Sequence, residues 1–126
     1  MREDKHMINF PKDFLGGTST SGPQTEGRFA GDGKGDNLWD YWYQVEPHRF
    51  RFQEGPGLTS TFYENWEEDI ELLVETGHTA FRTSIQWSRI FPKGRGEVNP
   101  VGVAFYRQVF ERIKEKGIHL MVNLYH

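Results

Sequence analysis

The chain contains the apolar run Ile118-His119-Leu120-Met121-Val122-Asn123-Leu124-Tyr125, which is followed by His126. This apolar run comes directly after Gly117 and the charged residues 114–116, which is the pattern of a helix end that leads into a buried strand. A polar side chain at the far end of such a strand is where α/β folds place their chemistry. The run therefore predicts a strand of a parallel sheet with His126 at its functional edge.

Strand-like and helix-like segments alternate through the rest of the chain. Apolar residues at three- and four-residue steps predict two amphipathic helices, and short β-branched runs predict two further strands. The order is strand, long loop, helix, strand, helix, strand, which indicates parallel strands joined by right-handed crossovers. The predicted bounds are 14–20, 79–85 and 118–125 for the strands, 61–77 and 99–116 for the helices, 21–61 for the loop and 87–92 for an irregular connection.

Local signals mark the helix ends and the faces that the helices bury. Thr61 and Glu64 have the spacing of a capping box, and Asn99 before a proline is typical of a helix start. Gly77 and Gly117 are placed to end the two helices. The residues expected to face inward are Phe62, Trp66, Ile70, Leu73 and Val74 in the first helix, and Phe105, Val109, Phe110 and Ile113 in the second.

These elements amount to about three strand–helix units. A closed (β/α)8 TIM barrel needs eight such units over roughly 250 residues, whereas this chain has 126. We therefore expect the N-terminal portion of a (β/α)8 barrel, the opening part of a larger enzyme. Residues 1–9 would be an N-terminal extension, and residues 10–126 would hold strands 1–3 of one domain. Because an open sheet edge is a template for association, we also expect marginal stability or self-association through strand 118–125.

Composition excludes several classes of protein. With 36% hydrophobic and 26% charged residues the chain is globular rather than disordered. A net charge of −3 argues against a nucleic-acid partner. The absence of cysteine excludes a disulfide framework and a thiolate nucleophile. No secretory signal, polybasic surface or apolar span is visible, so we expect a cytoplasmic protein with no membrane partner.

Polar residues accompany each predicted strand. Gln24 follows the first strand, Arg82 lies in the second and His126 follows the third, and in a parallel sheet all three converge on one face. Gln24 and His126 could hydrogen-bond substrate hydroxyls, and Arg82 needs a carboxylate or substrate partner. Other interpretations stay open: Gln24 bonded to loop backbone, Arg82 in a structural ion pair, and His126 exposed at a terminus. Glu26 is either a buried orienting carboxylate or an exposed one.

Other motifs carry less information. The aromatic run 38–43 is either loop packing or a sugar platform. The glycines of 31–35 lack the strand-before, helix-after setting of a phosphate loop, and the histidines have no metal-ligand spacing. We therefore predict no cofactor and no metal, and no pair of carboxylates can be assigned as a catalytic dyad.

Several blocks of the sequence, in order, resemble the N-terminal part of family 1 glycoside hydrolases, which include β-glucosidases and 6-phospho-β-glucosidases. The resemblance extends from Phe10 to His126. The blocks are Phe10-Pro11-Lys12-Asp13-Phe14-Leu15, Gln24-Thr25-Glu26-Gly27, Asp32-Gly33-Lys34-Gly35, Leu38-Trp39-Asp40, Glu68-Asp69-Ile70, residues 81–92, Val98-Asn99 and Asn123-Leu124-Tyr125-His126.

The resemblance implies a retaining glycosidase whose two catalytic glutamates lie outside this sequence, in Asn-Glu-Pro and Glu-Asn-Gly segments. Retention needs the two carboxyls about 5–5.5 Å apart. By resemblance, Gln24 and His126 bind hydroxyls of the non-reducing sugar, and Arg82 lies beside the nucleophile and keeps it ionised. The chain alone would then be inactive, with no catalytic residue of its own.

Two details of the sequence refine this expectation. Gly16 stands where the family usually has tryptophan, which removes a large aromatic side chain near the first strand. Ser21-Gly22-Pro23-Gln24 and residues 35–42 look most like bacterial 6-phospho-β-glucosidases, so a 6-phospho-β-glucoside is the expected substrate. The alternatives are a fragment of a plain β-glucosidase or β-galactosidase, and a non-catalytic sugar-binding remnant.

Overall fold

A computed structural model describes residues 9–126, and it contains one small parallel sheet with helices around it. The strands are β1 (Gly17–Ser19), β2 (Ala80–Ser84) and β3 (His119–Asn123), and the helices are α1 (Gly22–Thr25), α2 (Leu38–Val45), α3 (Phe62–Glu75), α4 (Trp87–Ile90) and α5 (Pro100–Glu115). Short 3-10 turns follow α2 at Pro47–Arg49 and Arg51–Gln53. The predicted extension 1–9 lies almost wholly outside the described residues. No helix in 9–126 is long and apolar enough to cross a membrane.

The sheet has the predicted parallel topology. Its strands pair in the order β1-β2-β3, and Ser19, Arg82 and Met121 are aligned across it. Helix α3 lies between β1 and β2 in the chain, and α5 lies between β2 and β3, which is the alternation that the sequence predicts. Within residues 9–126 the sheet is open and does not close on itself.

The core lies between the sheet and helices α3 and α5. Because side chains alternate along a strand, Phe81 faces the helices while Arg82 faces the other side of the sheet. The predicted inward residues pack in this core, with the exception of Val74, which is 41% exposed. The fully or mostly buried members are Phe62, Ile70, Phe81, Phe105, Tyr106, Val109, Ile113 and Ile118.

The segment between β1 and α3 is more regular than the sequence predicts. The first strand spans three residues instead of the predicted 14–20, and Phe14 and Leu15 before it are exposed. The expected long loop contains α1 and α2, and the expected irregular connection 87–92 contains α4. Two of these helices have four residues each, so they are too short to show an apolar repeat in the sequence.

The capping box predicted at Thr61 is wrong, although α3 begins at the next residue. Thr61 adopts φ +59°, and its hydroxyl donates to the Ser60 carbonyl and accepts from the Asn65 side chain, so it caps no backbone N–H of the helix. The capping box that does form is at α2, where Asn37 Oδ1 accepts from Asp40 N–H at 2.9 Å and Asp40 Oδ2 accepts from Asn37 N–H at 2.9 Å. The same reciprocal pattern thus arises where asparagine, not threonine, begins the helix.

The other helix ends are as predicted. Asn99 accepts a hydrogen bond from Val101 N–H at the start of α5. Gly77 and Gly117 follow α3 and α5 with φ of +75° and +72°, the left-handed conformation that glycine adopts without strain.

The two glycines at the start of β1 have opposite surroundings. A Cβ atom on Gly17 would lie 1.8 Å from the Ala80 carbonyl oxygen, so only glycine fits against β2. Among residues 9–126, a Cβ atom on Gly16 would meet nothing within 4 Å. The glycine that the β1–β2 contact requires is therefore Gly17, whereas position 16, where the resemblance implies tryptophan, is not crowded by the described residues.

Candidate active site

Two of the three predicted site residues share a cavity at the carboxyl ends of the strands. Gln24 lies in α1, directly after β1, and His126 lies three residues after β3. Both line a cavity of about 280 Å³. Both side chains are exposed, and each has groups that can hydrogen-bond a ligand.

The position of Gln24 is fixed through its neighbours in the chain. Ser21 Oγ donates to Gln24 Oε1 at 2.7 Å, and Gly22 N–H donates to Ser84 Oγ at 3.0 Å. A Cβ atom on Gly22 would lie 2.5 Å from the side chain of Gln86, so glycine allows α1 to approach the end of β2 closely. The contact with Ser84 of β2 thus holds α1, and with it Gln24, at the cavity.

Arg82 lies on the same sheet but does not line this cavity. It is half-buried, on the face of the sheet opposite the helices, and its Nε donates to Asn123 Oδ1 at 3.2 Å. No carboxylate of residues 9–126 lies within ion-pair distance of it. The structural ion pair left open as an interpretation is therefore absent from the described part of the chain.

A buried ionic cluster lies beneath α1. Arg89 is fully buried, and its guanidinium donates to Glu26 Oε2 at 2.7 Å, Asp32 Oδ2 at 3.0 Å and the Gly27 carbonyl at 3.0 Å. It also lies 4.2 Å from the centre of the Tyr63 ring, a cation–π contact. Glu26, whose burial the sequence leaves open, is 2% exposed. Of the two alternatives, the exposed carboxylate is therefore wrong, and Glu26 is a buried one.

Tyr106 connects this cluster to the second strand. Its hydroxyl donates to Glu26 Oε1 at 2.6 Å and accepts from Gln86 N–H at 2.7 Å, directly after β2. Burial raises the pKa of Glu26 above its ordinary 4.5, and the Arg89 guanidinium opposes that rise. Burial, together with the charge of Glu26, also raises the pKa of Tyr106 well above 10. Tyr106 is therefore a neutral donor at neutral pH.

Asp32 is held ionised by its surroundings. Burial acts to raise its pKa, but hydrogen bonds from Lys34 N–H and Phe29 N–H and from the Arg89 guanidinium outweigh it, and the pKa lies below the ordinary 3.8. Its two oxygens accept these backbone bonds at 2.8 and 3.0 Å. The turn 29–34 is thereby tied to Arg89.

Two further polar pairs join the cluster to α2 and to the edge of the cavity. The nearly buried Lys34 ammonium pairs with Asp40, and Asn37 Nδ2 donates to Gln86 Oε1 at 2.7 Å. Asn37, Gln86 and His126 also line a smaller cavity of about 160 Å³ beside the first. No group of three His, Asp or Glu side chains among residues 9–126 is arranged to hold a metal ion.

Sequence reasoning missed Arg89, Asp32 and Tyr106. Each has a partner in the cluster that is distant in the chain, for example 63 residues between Arg89 and Glu26, so no local spacing shows the cluster. The one available signal is Arg89 in an apolar segment, where a charge requires a partner.

Comparisons with known proteins agree with this architecture. Residues 6–126 match the family model for glycosyl hydrolase family 1. The chain is 51% identical over 120 residues to the 6-phospho-beta-glucosidase GmuD of Bacillus subtilis, covering 95% of this chain and 26% of GmuD. It is 36% identical to the aryl-phospho-beta-D-glucosidase BglC of the same species, covering 97% of this chain and 25% of BglC.

The fold comparison gives the same result. A β-glucosidase from Thermotoga maritima superposes with a TM-score of 0.86 at 37% identity, covering 93% of this chain and 27% of that one. This confirms the predicted three units of a TIM barrel, and the chain spans about a quarter of the length of these relatives. The chain belongs to glycosyl hydrolase family 1.

Proposed function

We propose that this chain supplies the sugar-holding N-terminal part of a retaining β-glycosidase that hydrolyses 6-phospho-β-glucosides. The observation that carries the proposal is the pair Gln24 and His126 on one cavity at the carboxyl ends of the strands. Amide and imidazole groups donate and accept hydrogen bonds, which suits the hydroxyls of a neutral sugar ring. The proposed small-molecule substrate is a β-glucoside that carries a phosphate on its 6-hydroxyl.

Arg82 supports a retaining mechanism. A half-buried guanidinium without a carboxylate partner in residues 9–126 calls for a negative charge from elsewhere. In the proposed enzyme this charge is the nucleophilic glutamate of the Glu-Asn-Gly segment, which Arg82 keeps ionised. Neither that segment nor Asn-Glu-Pro occurs in this sequence, so the chain alone is expected to have no hydrolytic activity.

The 51% identity to the 6-phospho-beta-glucosidase GmuD supports a substrate that is phosphorylated at its 6-position. The test is to read the DNA beyond the codon for His126 and to express the complete reading frame. The proposal expects Asn-Glu-Pro and Glu-Asn-Gly segments and a kcat/KM for 4-nitrophenyl β-glucoside 6-phosphate at least about tenfold above that for the unphosphorylated glucoside. If kcat/KM is equal for the two substrates, or higher for the unphosphorylated one, the proposed preference for a 6-phosphate is wrong. A stop codon directly after His126 would overturn the catalytic role.

Arg82 has its own test in a hybrid barrel, in which this chain replaces the matching N-terminal part of GmuD. Replacing Arg82 by Met should raise the pKa of the nucleophile, because a neighbouring positive charge is lost. The acid limb of the kcat/KM–pH profile should therefore move to higher pH. Arg107→Met, on the exposed side of α5, is the matched control and should leave the profile unchanged. An unmoved profile in Arg82→Met would refute the assignment.

A further inference from the structure

Ser21 is a buried serine directly before α1, and its hydroxyl is not used in the way that is usual at a helix start. A serine at this position normally accepts a hydrogen bond from a backbone N–H of the first turn. In α1 the Ser21 side chain caps no backbone N–H. Its Oγ instead donates to Gln24 Oε1 at 2.7 Å. The hydroxyl therefore binds the side chain of Gln24 and not the backbone of the helix.

The backbone around Ser21 is anchored to α1 and to the sheet. The Ser21 carbonyl accepts from Gln24 N–H at 3.1 Å and from Thr25 Oγ1 at 2.9 Å. The next residue, Gly22, donates from its N–H to Ser84 Oγ of β2 at 3.0 Å, and this bond is buried. Ser21 itself is fully buried. The serine hydroxyl therefore has a fixed position relative to the end of the sheet.

The direction of the bond between Ser21 and Gln24 follows from burial. Among residues 9–126, Gln24 Oε1 is the one side-chain or backbone acceptor that the Ser21 hydroxyl reaches. A hydroxyl has one hydrogen to donate, and a buried donor without an acceptor costs free energy. If the amide were reversed, its NH2 group would face Ser21 and the hydroxyl hydrogen would be left without an acceptor. Ser21 therefore selects the orientation of the amide in which Oε1 points inward.

This orientation decides which half of the amide a ligand meets. Gln24 is exposed, and it lines the cavity of about 280 Å³ together with His126. Because Oε1 is bonded to Ser21, the half of the amide that is turned away from the serine is Nε2, which carries two donors and no acceptor. Gln24 thus meets a ligand as a donor, and the matching group on a sugar is a hydroxyl oxygen that accepts.

We infer that Ser21 is a positioning residue for sugar binding, which holds the Gln24 amide so that Nε2 donates to one hydroxyl oxygen of the ring. The inference rests on the proposed function, because it takes the ligand of Gln24 to be the sugar of the substrate. It adds a direction to that contact. The hydroxyl accepts from Gln24, and its own hydrogen is donated to a different group.

A double-variant cycle in the hybrid barrel separates positioning from a general effect on the fold. Ser21→Ala should lower kcat/KM for 4-nitrophenyl β-glucoside 6-phosphate about fivefold, since the amide is then free to turn. In a Gln24→Ala background the same change should cost less than about twofold, because no amide is left to hold. Thr25→Ala removes the other hydroxyl that bonds to Ser21 and is the matched control. Its effect should be the same in both backgrounds.

A second measurement tests the donor role without any change at Ser21. The ligands are glucose 6-phosphate, the sugar released from the proposed substrate, and analogues in which one ring hydroxyl is replaced by hydrogen or by fluorine. The hydroxyl chosen is the one whose replacement by hydrogen weakens inhibition of the unmodified hybrid but not of Gln24→Ala.

Fluorine bound to carbon can accept a hydrogen bond but cannot donate one. Gln24→Glu turns a carboxylate oxygen, which is an acceptor only, toward this position of the ring. The ratio of the inhibition constants of the fluorine and hydroxyl ligands should therefore rise at least about fivefold in Gln24→Glu. The added charge repels the 6-phosphate of both ligands alike, so this repulsion cancels in the ratio.

The outcomes distinguish this inference from the proposed function. In an active hybrid, an equal loss from Ser21→Ala in both Gln24 backgrounds, or no loss in either, overturns the positioning role alone. An unchanged ratio in Gln24→Glu overturns the donor role, and so does the lack of any ring hydroxyl that depends on Gln24. A folded hybrid without turnover overturns the proposed function and the inference with it. If Ser21→Ala does not fold, the ratio in Gln24→Glu decides, and if the hybrid does not fold, the product of the complete reading frame replaces it.

Discussion

Loss of Arg89 should be far more costly than loss of any surface arginine of this chain. Its guanidinium is fully buried and bonds to Glu26, Asp32 and a carbonyl oxygen. Replacing Arg89 by Met leaves two carboxylates without their cation in the interior. Removal of one partner of a buried ion pair costs about 3–5 kcal/mol of the free energy of unfolding.

The matched comparison is Arg112, which pairs with Glu71 between α5 and α3 while about 42% of its side chain is exposed. Exposed pairs contribute roughly 0.2–1 kcal/mol, so Arg112→Met should lower the free energy of unfolding by no more than that. The assay is urea unfolding of the 126-residue chain, followed by far-UV circular dichroism. If Arg89→Met is already unfolded without urea, its folded fraction at zero denaturant gives a lower limit for the loss.

A double variant tests the reason for the loss. If the cost arises from the carboxylate left unpaired, Glu26→Gln combined with Arg89→Met should be more stable than Arg89→Met alone, since the buried charge on Glu26 is then absent. If Arg89→Met lowers the free energy of unfolding as little as Arg112→Met, the buried pairs of Arg89 do not stabilise the fold as we expect. The explanation by an unpaired carboxylate is refuted if the double variant is no more stable than the single one.

Three further predictions concern the glycines at β1, the ionised Asp32 and the open edge of β3. Gly17→Ala should destabilise the chain by more than about 1 kcal/mol because its Cβ would overlap the Ala80 carbonyl, whereas Gly16→Ala should be neutral or slightly stabilising; urea midpoints compare them. The stabilising effect of ionised Asp32, whose pKa is lowered, is complete above pH 3.8 and is lost as pH falls through its folded-state pKa, so Asp32→Asn should flatten the decline of stability in that range. The open edge of β3 should cause concentration-dependent association in sedimentation, and a clean monomer at all concentrations would contradict this.

The strands and long helices were predictable because their signals are local. The runs 79–85 and 118–125, the repeats in α3 and α5 and the glycines that follow those helices each lie within a few residues of one another. Such patterns depend on periodicity and turn chemistry alone. They are therefore sufficient to predict the element order and the parallel topology.

The candidate site was predictable only in part. Parallel topology was enough to bring Gln24 and His126 to one cavity, because both follow strands. The ionic cluster around Arg89 was not predictable, because it joins segments that are distant in the sequence. The turn at Thr61 shows the same limit, since its left-handed backbone overrides a correct capping spacing.

In the proposed function, Gln24 and His126 hold the sugar ring whose glycosidic bond is broken. The most direct measurement is the hydrolysis of 4-nitrophenyl β-glucoside 6-phosphate by the hybrid barrel, with Gln24→Ala, His126→Ala and Tyr41→Ala compared under the same conditions. We predict turnover by the unmodified hybrid and by Tyr41→Ala, and a loss of kcat/KM of about tenfold or more in each of the other two variants. A folded, active hybrid in which Gln24→Ala and His126→Ala match the control would contradict this role of Gln24 and His126.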